Sequence, residues 1–288
     1  MFDFIKSQNH PVYKINEVNR IPKWVLRILL KLNKGKIMKD KALLTYSGGM
    51  DSLAIVLDYI ERLGPENIIT LGFNYGQRHF EKENEAATRF CNKNGIERII
   101  LDVPIGKIGG CSLVDHSIEV TQDMDDQRST VVPNRNMIFL ALAASLAQVK
   151  GCNVITHGAC KEDEAAYRDC RPEFFKYMEY AIQAGLTQPT MGCENFKDDL
   201  IDGELRANCL DIRIETPLIF EKKEDTLARI LKKHPISVYK DSWSCYNGGL
   251  GEYNGLSCGS CPACQERLLA FHVNDVEDPL VYYGDATP

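Results

Sequence analysis

The stretch Ala42-Leu43-Leu44-Thr45-Tyr46-Ser47-Gly48-Gly49-Met50-Asp51-Ser52-Leu53-Ala54-Ile55-Val56-Leu57 decides the fold. Residues 42–46 form a short apolar run, 47–52 a Gly-rich turn, and 53–63 a helical stretch that Gly64-Pro65 ends. Adjacent glycines let backbone N–H groups approach a phosphate closely. The helix that starts there adds its positive end and its free amides. Ser47 and Ser52 add hydroxyl donors. No Gly-Lys-Ser/Thr ending follows, so the turn is not a Walker A loop.

Outward from this turn the same alternation continues. Strands are expected at 67–73, 98–103, 153–158 and 211–217, and helices at 80–94, 134–150, 172–184 and 222–233. Five strands separated by helices mean βαβ units and a doubly wound parallel five-stranded sheet of the α/β class. Two stretches break the rhythm and are expected as loops: 106–133, long, polar and acidic, and 187–208, with one Cys and no clear period. Long loops in a compact domain are usually functional or disordered.

The 288 residues are 44% hydrophobic and 26% charged, which is globular composition and excludes a disordered chain. The net charge of −6 is uneven: residues 1–40 hold nine basic and three acidic residues, the remainder 25 basic against 37 acidic. An acidic body argues against nucleic acid as the main partner. Residues 22–35 of the basic extension pattern as an amphipathic helix, with Trp24, Val25, Ile28, Leu29 and Leu32 on one face. Such a helix packs on the body or a second subunit, or docks on a membrane surface or a partner. No apolar run is expected to reach a membrane span, the opening residues carry no apolar signal core, and a cytoplasmic location is expected. The chain reads as an extension (1–38), a nucleotide-binding body (39–240) and a C-terminal metal region (241–288).

In that last region Cys245 precedes Cys258-Gly259-Ser260-Cys261-Pro262-Ala263-Cys264. Three cysteines at every third position cannot share one helix face, but with Cys245 they can wrap one tetrahedral ion. Four thiolates with no open position describe a structural Zn²⁺ site, with an iron–sulfur cluster as the alternative.

Ser-Gly-Gly-x-Asp-Ser at 47–52 resembles the PP-loop of the N-type ATP pyrophosphatases. With Asn74-Tyr75-Gly76-Gln77-Arg78-His79, Val132-Pro133-Asn134-Arg135-Asn136, Lys161-Glu162-Asp163, Tyr167-Arg168-Asp169-Cys170-Arg171-Pro172-Glu173-Phe174, Glu215-Thr216-Pro217-Leu218, Ser244-Cys245-Tyr246-Asn247-Gly248 and the closing Cys triplet, the chain is similar over 41–272 to the 7-cyano-7-deazaguanine synthase family. The resemblance implies an adenine nucleotide alpha hydrolase-like fold and a C–N-forming ligase. In that reaction the carboxylate of 7-carboxy-7-deazaguanine attacks ATP, giving an acyl-adenylate and pyrophosphate (ADP and phosphate being the other split). Ammonia then gives an amide, and a second ATP leads to the nitrile.

The resemblance also implies roles. Tyr46, Ser47, Gly48, Gly49, Met50, Asp51, Ser52, Tyr75, Gln77, Arg78, Arg135 and Asn136 would hold the nucleotide, with Asp51 acting through Mg²⁺. Catalysis would fall to Ser47, Asp51, Ser52, Arg78 and Lys161. Arg135, Lys161, Glu162, Asp163, Tyr167, Asp169, Cys170 and Arg171 would bind the deazaguanine, an acid accepting from its ring donors and Arg171 its carboxylate. Arg135 opens an apolar helix, where a cation opposes the helix dipole, which points to a ligand. Asn74 and Asn134 stand where the family usually has Asp and Gly, and the spacing of Cys245 from Cys258 is longer than usual. These departures leave the amine acceptor open. Free ammonia is the leading reading, a protein amine in antiviral-defence homologues the second, and tRNA modification by a PP-loop enzyme the third. A homodimer is also implied.

Overall fold

The computed structural model describes residues 40–186, 198–201, 204–207 and 212–284. The helix expected over 22–35 lies outside them. Strand β1 (Ala42–Thr45) runs into helix α1 (Met50–Leu63); β2 (Ile68–Asn74) into α2 (Phe80–Asn94); β3 (Glu97–Asp102) through a long connection into α3 (Arg135–Lys150). Strand β4 (Val154–Thr156), a one-turn helix α4 (Asp163–Ala166) and α5 (Pro172–Gly185) follow. Strands β5 (Asp198–Ile201) and β6 (Glu204–Ala207) precede β7 (Arg213–Glu215), α6 (Lys223–Leu231) and α7 (Pro262–Val273).

The main sheet is parallel throughout, in the order β3-β2-β1-β4-β7. Its two faces are the two halves of the core. Side chains alternate along a strand, so Ala42 and Leu44 of β1 join Leu53, Ala54 and Val56 of α1 and Leu227 and Ile230 of α6. Leu43 points the other way, to Leu140, Ala143 and Ala147 of α3 and Phe175 and Ile182 of α5. This is the doubly wound arrangement the alternation of strands and helices requires.

Two expectations are corrected. Residues 187–208 contain an antiparallel hairpin, β5 with β6, where a loop was expected. The segment Arg128–Lys150 is long and apolar enough, by length and composition, to cross a membrane. Its α3 portion instead lays Leu140, Ala143, Ala144 and Ala147 on the sheet, so its apolarity serves the core. The 106–133 connection is a loop as expected, with only 3₁₀ turns at its ends.

The C-terminal region is locked by Arg267, 1% exposed. Its guanidinium donates to both carboxylate oxygens of Asp278, at 2.5 and 2.9 Å, and to the Ser242 hydroxyl at 2.8 Å. Removing one partner of a buried ion pair strands the other charge, so Asp278→Ala is expected to destabilise the protein by about 3–5 kcal/mol. Equilibrium urea unfolding of wild type and variant measures this directly.

Candidate active site and thiolate centre

Strand order reverses between β1 and β4: β1 leads outward to β2 and β3, β4 to β7. Loops leaving the carboxyl ends of these neighbours diverge and open a crevice, the usual ligand site of such sheets. A cleft of ≈ 240 Å³ lies there, lined by the 45–52 turn, the end of β2, the start of α3 and the 157–170 segment.

Gly48 is fixed by sterics on two sides. Its φ is +112°, and a Cβ there would stand 2.2 Å from the Glu83 carbonyl oxygen of α2. On its other side its carbonyl accepts from the Trp243 amide at 2.8 Å. So pinned, the chain turns into α1 with no side chain capping that helix N-terminus. The Ser47 and Ser52 hydroxyls lie 3.1 Å apart, Ser47 Oγ accepts from the Gly49 amide, and Ser52 Oγ donates to the Gly49 carbonyl. The serine protons and the Gly49 amide are thus spent inside the turn, and the uncapped amides of residues 50–52 are left as the donors that suit an oxyanion.

Asp51 faces Lys223 at 3.4 Å. This buried ammonium also lies 3.3 Å from Glu266 of α7 and donates to Cys160 Sγ at 3.0 Å. Burial pushes the Asp51 carboxyl upward against the pull of Lys223, while the acids around Lys223 overcome burial and hold its ammonium charged. The sequence reading missed Lys223. It is the residue at the start of the helix after β7, which is the signal that could have found it.

Phe73 and Phe139 stack face to face at 4.0 Å and 8°, and Arg135 lies 6.0 Å over Phe139, so a stacked aromatic pair and a cation line the cleft together. Tyr75, Gln77, Asn136, Asp163, Tyr167 and Cys170 also line it, in company with Ser47, Gly49, Asp51, Ser52 and Arg135. Gln77 braces the turn after β2, accepting from the Tyr75 amide and donating to the Phe73 carbonyl.

Other expected residues are placed elsewhere. Tyr46 and Met50 are core residues, and Gly48 shapes the turn from behind it. Arg78 does not line the cleft: its guanidinium donates to the Asp115 and Ile118 carbonyls and holds the 106–133 loop. Lys161 is exposed outside the lining. Glu162 accepts from the Lys223 amide, and Arg171, also exposed, donates to the Glu164 carbonyl. Asp169 accepts from the Asn136 amide, so it caps α3.

Burial shifts four further groups toward their uncharged forms. It lowers His79 to about 3 and His157 to about 4, with Arg135 adding to both, and raises the Cys170 thiol to about 12, so this cysteine is no ready nucleophile. Glu83, which the sequence reading passed over because it sits in a plain helical pattern, lines the cleft beside His79. Burial pushes it up to about 8 against Arg135 and Arg98.

Cys245, Cys258, Cys261 and Cys264 are all buried, and their sulfurs lie within 4.8 Å of one another. Cys258 and Cys264 are 3.9 Å apart. An ion with Zn–S bonds of about 2.3 Å has a tetrahedral edge of about 3.8 Å. The amides of Cys258 and Cys261 donate to Cys245 and Cys258 sulfurs at 3.3 Å. The donor set therefore fits a single tetrahedral ion, whereas an iron–sulfur cluster would hold the sulfurs farther apart. The loop also carries Tyr246 into the cleft, 5.6 Å from the His79 ring.

The model of the family described as queuosine biosynthesis protein QueC matches residues 41–275. The chain is similar to the 7-cyano-7-deazaguanine synthase of Marinobacter nauticus, 34% identical over 85% of this chain and 98% of the relative. It is similar as well to that of Chromohalobacter salexigens, 38% identical over 85% and 86%. Among solved structures, the U34-tRNA thiolase NcsA from Methanococcus maripaludis with its [4Fe-4S] cluster covers 86% of this chain and 77% of its own at 16% identity. Its TM-score is 0.39, too low to carry an inference.

Two outcomes are expected from this geometry. Between about pH 4.5 and pH 8 the folded protein keeps a proton on Glu83 that the unfolded chain releases, so this contribution to stability is full at acid pH and is lost as pH rises. Glu83→Gln should flatten that decline in melting temperature, measured across the same window. Cys261→Ser should lose bound metal by elemental analysis and melt at lower temperature than wild type.

Proposed function

The chain belongs to the QueC family of queuosine biosynthesis proteins, and from that membership we propose that its cleft makes 7-cyano-7-deazaguanine from 7-carboxy-7-deazaguanine, ATP and ammonia. The observation that carries this reading is the joining of two unlike surfaces in one cleft: the uncapped amides of α1 suited to an oxyanion, and a stacked aromatic pair with a guanidinium suited to a flat, anionic heterocycle.

The deazaguanine packs against the outside of the Phe73–Phe139 pair, with Arg135 neutralising its carboxylate. Phosphates sit on the amides of residues 50–52. The carboxylate oxygen attacks the α-phosphorus, and the departing pyrophosphate is stabilised by fixed donors that need no reorganisation. Asp51 would hold Mg²⁺, which would offset charge on that leaving group. Lys223 keeps Asp51 oriented. Ammonia attacks the acyl carbon to give the amide and AMP; a second ATP activates the amide oxygen, and loss of AMP leaves the nitrile. Zinc in the thiolate centre would cross-link the loop that presents Tyr246 and takes no part in these steps.

The test is to incubate the protein with ATP and 7-carboxy-7-deazaguanine, with and without ammonium, and weigh the products. A nitrile formed only with ammonium is expected. Asp51→Ala should lower pyrophosphate release by about a hundredfold or more, as loss of one preorganised electrostatic group does; undiminished release would refute the assignment of the turn.

A further inference from the structure

A second cavity, ≈ 270 Å³, adjoins the cleft and is lined by Val131, Val132, Asn134, Arg168 and Asp169. Thr130, Arg135 and Tyr167 line both spaces. The partition is polar and light. The Thr130 and Tyr167 hydroxyls lie 2.9 Å apart and both hydrogen-bond to Gln127, through its main-chain carbonyl at 2.8 Å and its side chain at 3.2 Å. Val132 and the left-handed Asn134, with φ +52°, carry the chain around the chamber into α3.

We propose that this chamber admits the amine nucleophile, a small amine such as ammonia, to the acyl-adenylate. The inference rests on the adenylation reading above. With nucleotide and acid in the first cleft, the third reactant needs a separate approach, or water reaches the mixed anhydride through the same opening. The chamber's charges suit the neutral form of the guest. Arg135 and Arg168 line it against one carboxylate, that of Asp169, which also accepts from the Asn136 amide, so its balance is positive. Nearby cations disfavour ammonium and favour ammonia, which alone carries a free lone pair. That lone pair forms the C–N bond at the acyl carbon. The acyl C–O bond breaks with its electrons on AMP, and the extra N–H proton passes to solvent.

Val131 lines the chamber and not the cleft, so it separates the two steps. In the full-length protein, Val131→Trp is expected to leave pyrophosphate–ATP exchange within about twofold of wild type while raising KM for ammonium about tenfold. An unchanged ammonium KM, or exchange and amidation falling in step in a folded variant, would overturn the proposal. Val131→Ala gives an independent reading: the methylamine-to-ammonia ratio of kcat/KM should rise about fivefold, and a constant ratio would overturn the proposal too. Wild-type protein without exchange activity would remove the adenylation reading and this inference with it.

Discussion

The Gly48 peptide is held from both sides, and the functional architecture hangs on that pinch. Behind it the α2 backbone leaves no room for a side chain; in front, the Trp243 amide binds its carbonyl. Because a β-carbon is excluded on steric grounds, the turn cannot relax toward an ordinary strand-to-helix connection. The amides that open α1 therefore point into the crevice at the switch point of the sheet, and the position of Asp51 follows.

Trp243 belongs at the same time to the cluster of buried residues around the four thiolates, so the metal region and the oxyanion turn share a wall. Lys223 makes a second link, from Asp51 on α1 to Glu266 on α7. Removal of a charged member from a buried network of this kind leaves uncompensated charge, which ties the chemistry of the turn to the packing of a helix distant in sequence.

Much of the fold was legible. Strands β1 and β2 declare themselves as continuous apolar runs, and the helices that follow them by their apolar period and by the glycine that ends each. The hairpin in the 187–208 stretch was not, since its residues show no alternation strong enough to outweigh a polar composition. The Cys centre was readable from spacing alone. Of the motif residues expected at the site, Ser47, Asp51, Tyr75 and Arg135 line the cleft, whereas Arg78 does not. A motif states that an arginine is there, while only the fold shows that nearby loop carbonyls claim its guanidinium. Lys223 and Glu83 escaped for the opposite reason: each sits in an unremarkable amphipathic helix, and tertiary contacts alone give it a function.

The pairing of the Ser47 and Ser52 hydroxyls has a further consequence. Each oxygen is already satisfied by the other and by the Gly49 backbone, so the turn keeps its shape without any guest and does not collapse around a bad one. An arriving oxyanion exchanges a neutral hydrogen bond for a charge-assisted one, roughly twice as strong, so the exchange favours an anionic guest. The fixed peptide dipoles that open α1 and the ammonium behind Asp51 add to that preference for negative charge.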